Sequence, residues 1–158
     1  MNVALTGSTG HVGTALATLL CERGYSVQAV VHRQTSGLEG LPVRKVSASV
    51  TDIESIRQAF DGAEIVFHAA ARISITRRDM AEVHRTNVEG TRNVIEACRQ
   101  AGVRRLVHFS SIEAYSPRPL DCTLDEDRAL EDGSTGSPYA VSKAHAETEV
   151  RKAMRREV

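Results

Sequence analysis

The sequence predicts an α/β fold, a doubly wound parallel sheet of about five strands. Three observations carry that prediction. Short apolar runs alternate along the chain with segments of helical apolar spacing, which implies right-handed crossovers between parallel strands. Those runs are apolar without polar alternation, as expected of strands covered on both faces. The first run ends in a glycine-rich turn that opens a helix.

Each element follows in order. Val3 to Leu5 is the first strand, and Val12, Leu16, Leu19 and Leu20 recur at helical spacing after it, with Gly24 as a C-cap signal. Val27 to Val31 is the second strand and Val43 to Val46 a weaker third, separated by a polar loop over 33–42. Thr51-Asp52-Ile53-Glu54 has the form of a capping box and starts a helix carrying Ile53, Ile56, Ala59 and Phe60 on one face. Ile65 to Phe67 is the fourth strand. One long helix is expected from about Asp79 to Gln100, with Met80, Val83, Val94, Ile95 and Cys98 towards the core. Leu106 to Phe109 is the fifth strand, and a last helix begins near Pro138. The intervening loop, 116–137, is acidic, with Asp121, Asp125, Glu126, Asp127, Glu131 and Asp132 beside Arg128. Its length suits either a solvated loop or a flap over a substrate site.

Composition excludes several classes. With 158 residues, 41% hydrophobic and 25% charged, the chain reads as one globular domain spanning 1–158. Twenty basic residues balance twenty acidic ones, which points to no nucleic-acid or membrane partner. Cys21, Cys98 and Cys122 have neither disulfide-framework nor zinc spacing. The histidines His11, His32, His84, His108 and His145 form no ligand spacing, so no metal is assigned. No signal segment or membrane span is read, and a cytoplasmic location is expected.

The turn Thr6-Gly7-Ser8-Thr9-Gly10-His11-Val12-Gly13 lies between strand and helix. Backbone N–H groups at such a helix start point one way, and with the helix dipole they suit a pyrophosphate. Gly7 permits the tight turn, Gly10 lets phosphates approach, and Gly13 lets the helix pack close to the sheet. Gly7, Ser8, Thr9, Gly10, His11 and Val12 are therefore the candidate phosphate cradle of a nicotinamide dinucleotide. The second strand ends Val30-Val31-His32-Arg33 with no carboxylate to take a ribose 2′-hydroxyl. The guanidinium of Arg33 suits a 2′-phosphate, which favours NADP without closing off NAD.

Tyr139 and Lys143 stand four apart on the last predicted helix and share a face. A free phenol, with a pKa of about 10, is a poor base at neutrality, and a neighbouring ammonium favours its phenolate. The motifs TGSTGHVG, IVFHAAA (65–71), NVEGTRNVIEAC (87–98), RLVHFSSIEAY (105–115) and YAVSK (139–143) occur in one order. Together they resemble the extended short-chain dehydrogenase/reductases, the NAD-dependent epimerase/dehydratase family, and look closest to its hydroxysteroid dehydrogenase and dihydroflavonol reductase branch.

The resemblance implies a Rossmann-like fold, with its strands in the order 3-2-1-4-5, and hydride transfer between NAD(P) and a small carbonyl or secondary-alcohol substrate. It implies Tyr139 as proton donor or acceptor, Lys143 as its tuner and ribose ligand, and Ser111 as the substrate-orienting hydroxyl. Epimerase, dehydratase and silent NAD(P)-binding module are the alternatives. Asn87 is read as mainly structural, and Ser110 as a backbone-capping hydroxyl. His68, Ala69 and Ala70 lie beside the expected cofactor path. Ser49 and Val50 stand where the family usually has an acidic residue and an apolar one, with Ser49 a weaker partner for the adenine amine. Family members continue past this point into a C-terminal substrate region, absent here. A truncated chain is therefore expected, with an exposed fifth-strand edge that leaves a homodimer open.

Overall fold

Strand β1 (Asn2–Thr6) lies at the middle of a five-stranded sheet because Val3, Ala4 and Leu5 are wholly buried on both sides. The computed structural model describes residues 1–32, 36–133 and 136–156. With β2 (Ser26–Val31), β3 (Val43–Ser47), β4 (Ile65–His68) and β5 (Arg105–His108), the sheet runs β3-β2-β1-β4-β5, parallel at every pairing. Leu5 is flanked by Ala29 and Phe67, so the turn that follows β1 emerges at the carboxyl ends of its neighbours. The order and the parallel sense are those the sequence predicts.

The chain clusters into two compact units, Met1–Ala70 with Asn93–Phe109, and Ala71–Arg92 with Ser110–Val158. The first holds the whole sheet. Period-two alternation divides its strand residues between two cores. Ala4, Val30 and Val66 pack with Ile56 and Ala59 of helix α2 (Ile53–Ala59) and with Val94, Ala97 and Cys98 of helix α4 (Gly90–Gln100). On the other core, Leu5, Ala29 and Val31 meet Ala17 of helix α1 (His11–Glu22), while Val3 and Val27 meet Leu20.

Several local expectations shift. The buried stripe of α1 is Gly13, Ala17 and Leu20, whereas Val12 and Leu19 are 51% and 44% exposed. Small residues let the helix ride close to the strands, so the larger ones turn outward. The cap of α2 is Asp52, not Thr51: its carboxylate accepts the Glu54 and Ser55 N–H groups, while the Thr51 hydroxyl bonds Ser49. Glu54 is drawn away to Arg57, which leaves no reciprocal capping box. Ile53 and Met80 are exposed rather than core. The fifth strand ends at His108, at a sheet edge, and its side chains are at most half buried.

The second unit contains helix α3 (Met80–His84), the first residues of α4, and helix α5 (Pro138–Arg156). The single long helix expected over 79–100 is interrupted by a π turn, Arg85–Glu89. The wider turn lets Asn87 and Val88, adjacent in sequence, both become buried. The acidic loop is pinned at its feet by a Tyr115–Leu130 bridge and by Ser116 N–H to Ala129 carbonyl. Arg128 donates to the carbonyls of Pro119, Cys122 and Thr123, so it clasps the loop through backbone rather than through the loop's carboxylates. Glu131 is buried and accepts the N–H groups of Gly133 and Gly136.

Candidate functional site

In the sheet unit, the turn after β1 is built by exclusion of side-chain atoms. Gly7 has φ +70, and a Cβ there would lie 2.5 Å from the Ala70 nitrogen. A Cβ on Gly13 would strike the Gly7 carbonyl oxygen, so Gly13 packs against the turn itself rather than against the sheet. A Cβ on Gly10 would meet only the Gly7 oxygen, at 3.3 Å, so its outer side is open. Helix α1 starts at Gly10 with no side-chain cap and no acidic residue in its first turn. Its leading N–H groups and dipole end thus face an open, uncapped surface, a donor set that fits a pyrophosphate.

The side chains around this turn divide by role. His11 and Val12 are exposed at the helix start, and Thr9 is half-buried. Ser8 is fully buried and donates its hydroxyl to the Val30 carbonyl at 2.7 Å, so its side chain ties the turn to β2 and is not offered to a ligand. His68 likewise is 1% exposed, with Nδ1 2.7 Å from the Thr6 hydroxyl. Thr6 Oγ1 also accepts the Ala70 N–H at 3.3 Å, and the Thr6 carbonyl accepts that of Ala69. His68 therefore acts by holding the end of β4 beneath Gly7, and the contact side falls to half-buried Ala69 and Ala70. Ser49 bonds Thr51, and the Val50 carbonyl accepts from Asn93. Arg33 lies outside the described residues.

In the second unit, Tyr139 is half-buried in the first turn of α5 and Lys143 follows one turn later, 4% exposed. Burial pushes the Lys143 ammonium down to about 8, and the Glu147 carboxylate, one further turn along, opposes that fall. Glu147 is itself held by Arg151 Nε at 3.0 Å, and Arg151 also donates to the Tyr115 hydroxyl. Ser111 accepts the Glu113 N–H and starts a 3₁₀ turn, Ile112–Ala114. Capping thus falls to Ser111 and not to Ser110, whose buried hydroxyl has no hydrogen-bond partner among the described residues. A serine that accepts through a lone pair keeps its O–H proton, so Ser111 can cap and still donate.

Asn87 is buried and fully used. Its Oδ1 accepts the Arg72 N–H, and its Nδ2 donates to the Arg72 carbonyl and to Ser142 Oγ. The structural reading of Asn87 holds, on the segment just after β4. Thr6, Ser142, Glu147 and Arg151 were not singled out from sequence. Ser142 carried no signal in the sequence, since its neighbours at helical spacing, Tyr139, His145 and Ala146, are of mixed kind.

A glycine turn that opens a helix at the end of β1 of a parallel sheet is the layout of a Rossmann-like dinucleotide-binding fold. The sequence profile of the NAD dependent epimerase/dehydratase family matches residues 3–157, and the chain belongs to that family. It is 38% identical over 152 residues to sterol demethylase protein B of Methylococcus capsulatus, covering 95% of this chain and 46% of that protein. It is 36% identical over 166 residues to human 3 beta-hydroxysteroid dehydrogenase type 7, covering 98% and 45%. A short-chain dehydrogenase/reductase superfamily protein from Agrobacterium tumefaciens, solved with bound NAD, superposes with TM-score 0.86 at 34% identity, covering 98% and 45%. The chain thus spans just under half the length of these relatives. No helix among the described residues is long and apolar enough to cross a membrane.

Proposed function

We propose that this chain binds NADP in preference to NAD and supplies the acid–base groups for hydride exchange with a carbonyl or secondary alcohol. The observation that carries this reading is the buried Lys143 amine one helical turn from Tyr139. Burying an amine is costly unless its charge is put to use, and a lysine beside a phenol stabilises phenolate. When bound, the nicotinamide gives or takes the hydride. Tyr139 passes its phenolic proton to the substrate oxygen as a carbonyl becomes an alcohol, and recovers it in the reverse direction. Ser111 donates a hydrogen bond to the same oxygen and fixes its position. Lys143 holds positive charge next to the phenol and bonds the nicotinamide ribose.

Two features support finer points. The strand β2 ends without a carboxylate and is followed by Arg33, the chemistry of a 2′-phosphate partner. The relatives named above include a 3 beta-hydroxysteroid dehydrogenase and sterol demethylase protein B, which favours an apolar carbonyl over a sugar nucleotide. An epimerase or dehydratase begins with the same hydride step and is the second reading, supported by the family's own range.

Fluorescence titration with NADPH and NADH tests the binding half. Absence of binding by either nucleotide sinks the proposal, and equal affinity removes Arg33 from the phosphate role. Turnover on a panel of apolar ketones, alcohols and sugar nucleotides tests the chemistry. If the wild type binds nucleotide but turns over nothing on the panel, the chain is a binding module; if it turns over a substrate and Tyr139→Phe leaves that rate unchanged, Tyr139 is not the acid–base group.

A further inference from the structure

A hydrogen-bonded chain runs from Arg72 through Asn87 and Ser142 to Tyr139. Asn87 donates through Nδ2 to Ser142 Oγ at 2.8 Å, and the Ser142 hydroxyl donates to the Tyr139 carbonyl at 2.7 Å. Asn87 and Ser142 are each 2% exposed. At its other end Asn87 grips both the N–H and the carbonyl of Arg72, at 2.7 and 2.9 Å.

Every polar atom in this chain is employed. Both Asn87 Nδ2 protons are donated and its oxygen accepts, while Ser142 accepts once and donates once. Buried polar networks that are fully satisfied hold a single geometry, because no alternative partner exists inside the protein. Tyr139 is the second residue of α5, in a first turn whose N–H groups are already capped by Ser137, through its hydroxyl to Ala140 and its carbonyl to Val141. The Tyr139 carbonyl is the helical acceptor for the Lys143 N–H, so one added donor there steadies the backbone under both residues.

We infer that Ser142, held by Asn87, is a positioning residue that fixes the backbone of Tyr139 and with it the direction of the phenol. The inference rests on the functional reading above and deepens it. Ser142 touches neither substrate nor cofactor in this role; it acts through Tyr139. The π turn at Arg85–Glu89 has a purpose in this scheme, since it brings Asn87 inward to Ser142 while Val88 stays in the core.

The test uses the full chain as wild type, Ser142→Ala, and Ser142→Thr, which keeps the hydroxyl. Amide hydrogen exchange at Lys143 reports the Tyr139 carbonyl without any need for turnover. Exchange in Ser142→Ala is expected to rise about tenfold at Lys143, as for loss of one hydrogen bond, and to stay unchanged in the β1 amides. The NADPH dissociation constant is expected to stay within twofold while kcat falls roughly tenfold, since small misplacement of a reacting group lowers kcat. Ser142→Thr is expected to recover most of both losses. Unchanged exchange at Lys143 overturns the brace. Faster exchange with unchanged kcat overturns the positioning role, as does a threonine variant no better than alanine. If the wild type turns over no substrate, the functional reading fails and takes this inference with it. Activity in the wild type with no loss in Ser142→Ala defeats the inference alone.

Discussion

Lys143→Met is expected to stabilise the fold while removing its chemistry. The lysine is 4% exposed, and its ammonium is pushed from an ordinary 10.5 down to about 8, first by burial and against the pull of Glu147. That difference corresponds to about 3 kcal/mol of cost for keeping the charge in the folded chain. Below pH 8 both states carry the ammonium, and the folded state bears the whole cost. Between 8 and 10.5 the unfolded chain still holds the proton that the folded chain has shed, so stability rises with pH. Above 10.5 both are neutral and the cost is gone. Methionine keeps the stem without the charge, and Glu147 stays paired with Arg151 at 3.0 Å. Urea unfolding followed by circular dichroism, at pH 7 and at pH 10.5, measures the difference. The variant should be more stable at pH 7, by up to about 3 kcal/mol, with the advantage shrinking through the 8–10.5 window. A variant less stable at pH 7, or a gap equal at both pH values, would refute the reasoning.

Three further outcomes follow from the same geometry. Gly13→Ala should destabilise by about 3 kcal/mol or more, because its Cβ meets backbone that cannot yield, while Gly10→Ala should change thermal stability little and weaken NADPH binding at least tenfold; melting curves and fluorescence titration separate the two. Cys122 is exposed and should react with a thiol reagent at pH 8 in the native state. Cys98, pushed up to about 12 by burial, should react only after unfolding, a contrast read by mass spectrometry of the labelled peptides. Asp52→Ala should cost about 1 kcal/mol in urea unfolding, since it removes the cap of α2, whereas Thr51→Ala should cost less than half as much.

Much of this molecule was legible in its letters. The alternation of runs and helices is local information, so parallel sense and the glycine turn could be read without coordinates, while the strand order followed from the family resemblance. Tyr139 and Lys143 could be paired because a helix converts a spacing of four into a shared face. Which hydrophobic residues point inward was less legible: Val12, Leu19, Ile53 and Met80 all sit at helical spacing yet are exposed. Periodicity marks a stripe but not which of two adjacent stripes is buried, and here it is Gly13, Ala17 and Leu20.

The glycine turn, the family and the shared helix of Tyr139 and Lys143 were legible in sequence alone, because each motif is set by residues near one another in the chain. Only the tertiary structure decided the partners that lie far apart: Thr6 with His68, Ser8 with Val30, and Asn87 with Arg72 and Ser142. A hydrogen bond between residues 15 to 62 positions apart leaves no periodic trace, since a lone Ser or Asn reads the same whether it faces water or a buried partner. Burial then made those bonds obligatory, and it pushed Lys143 down towards the range where proton transfer occurs.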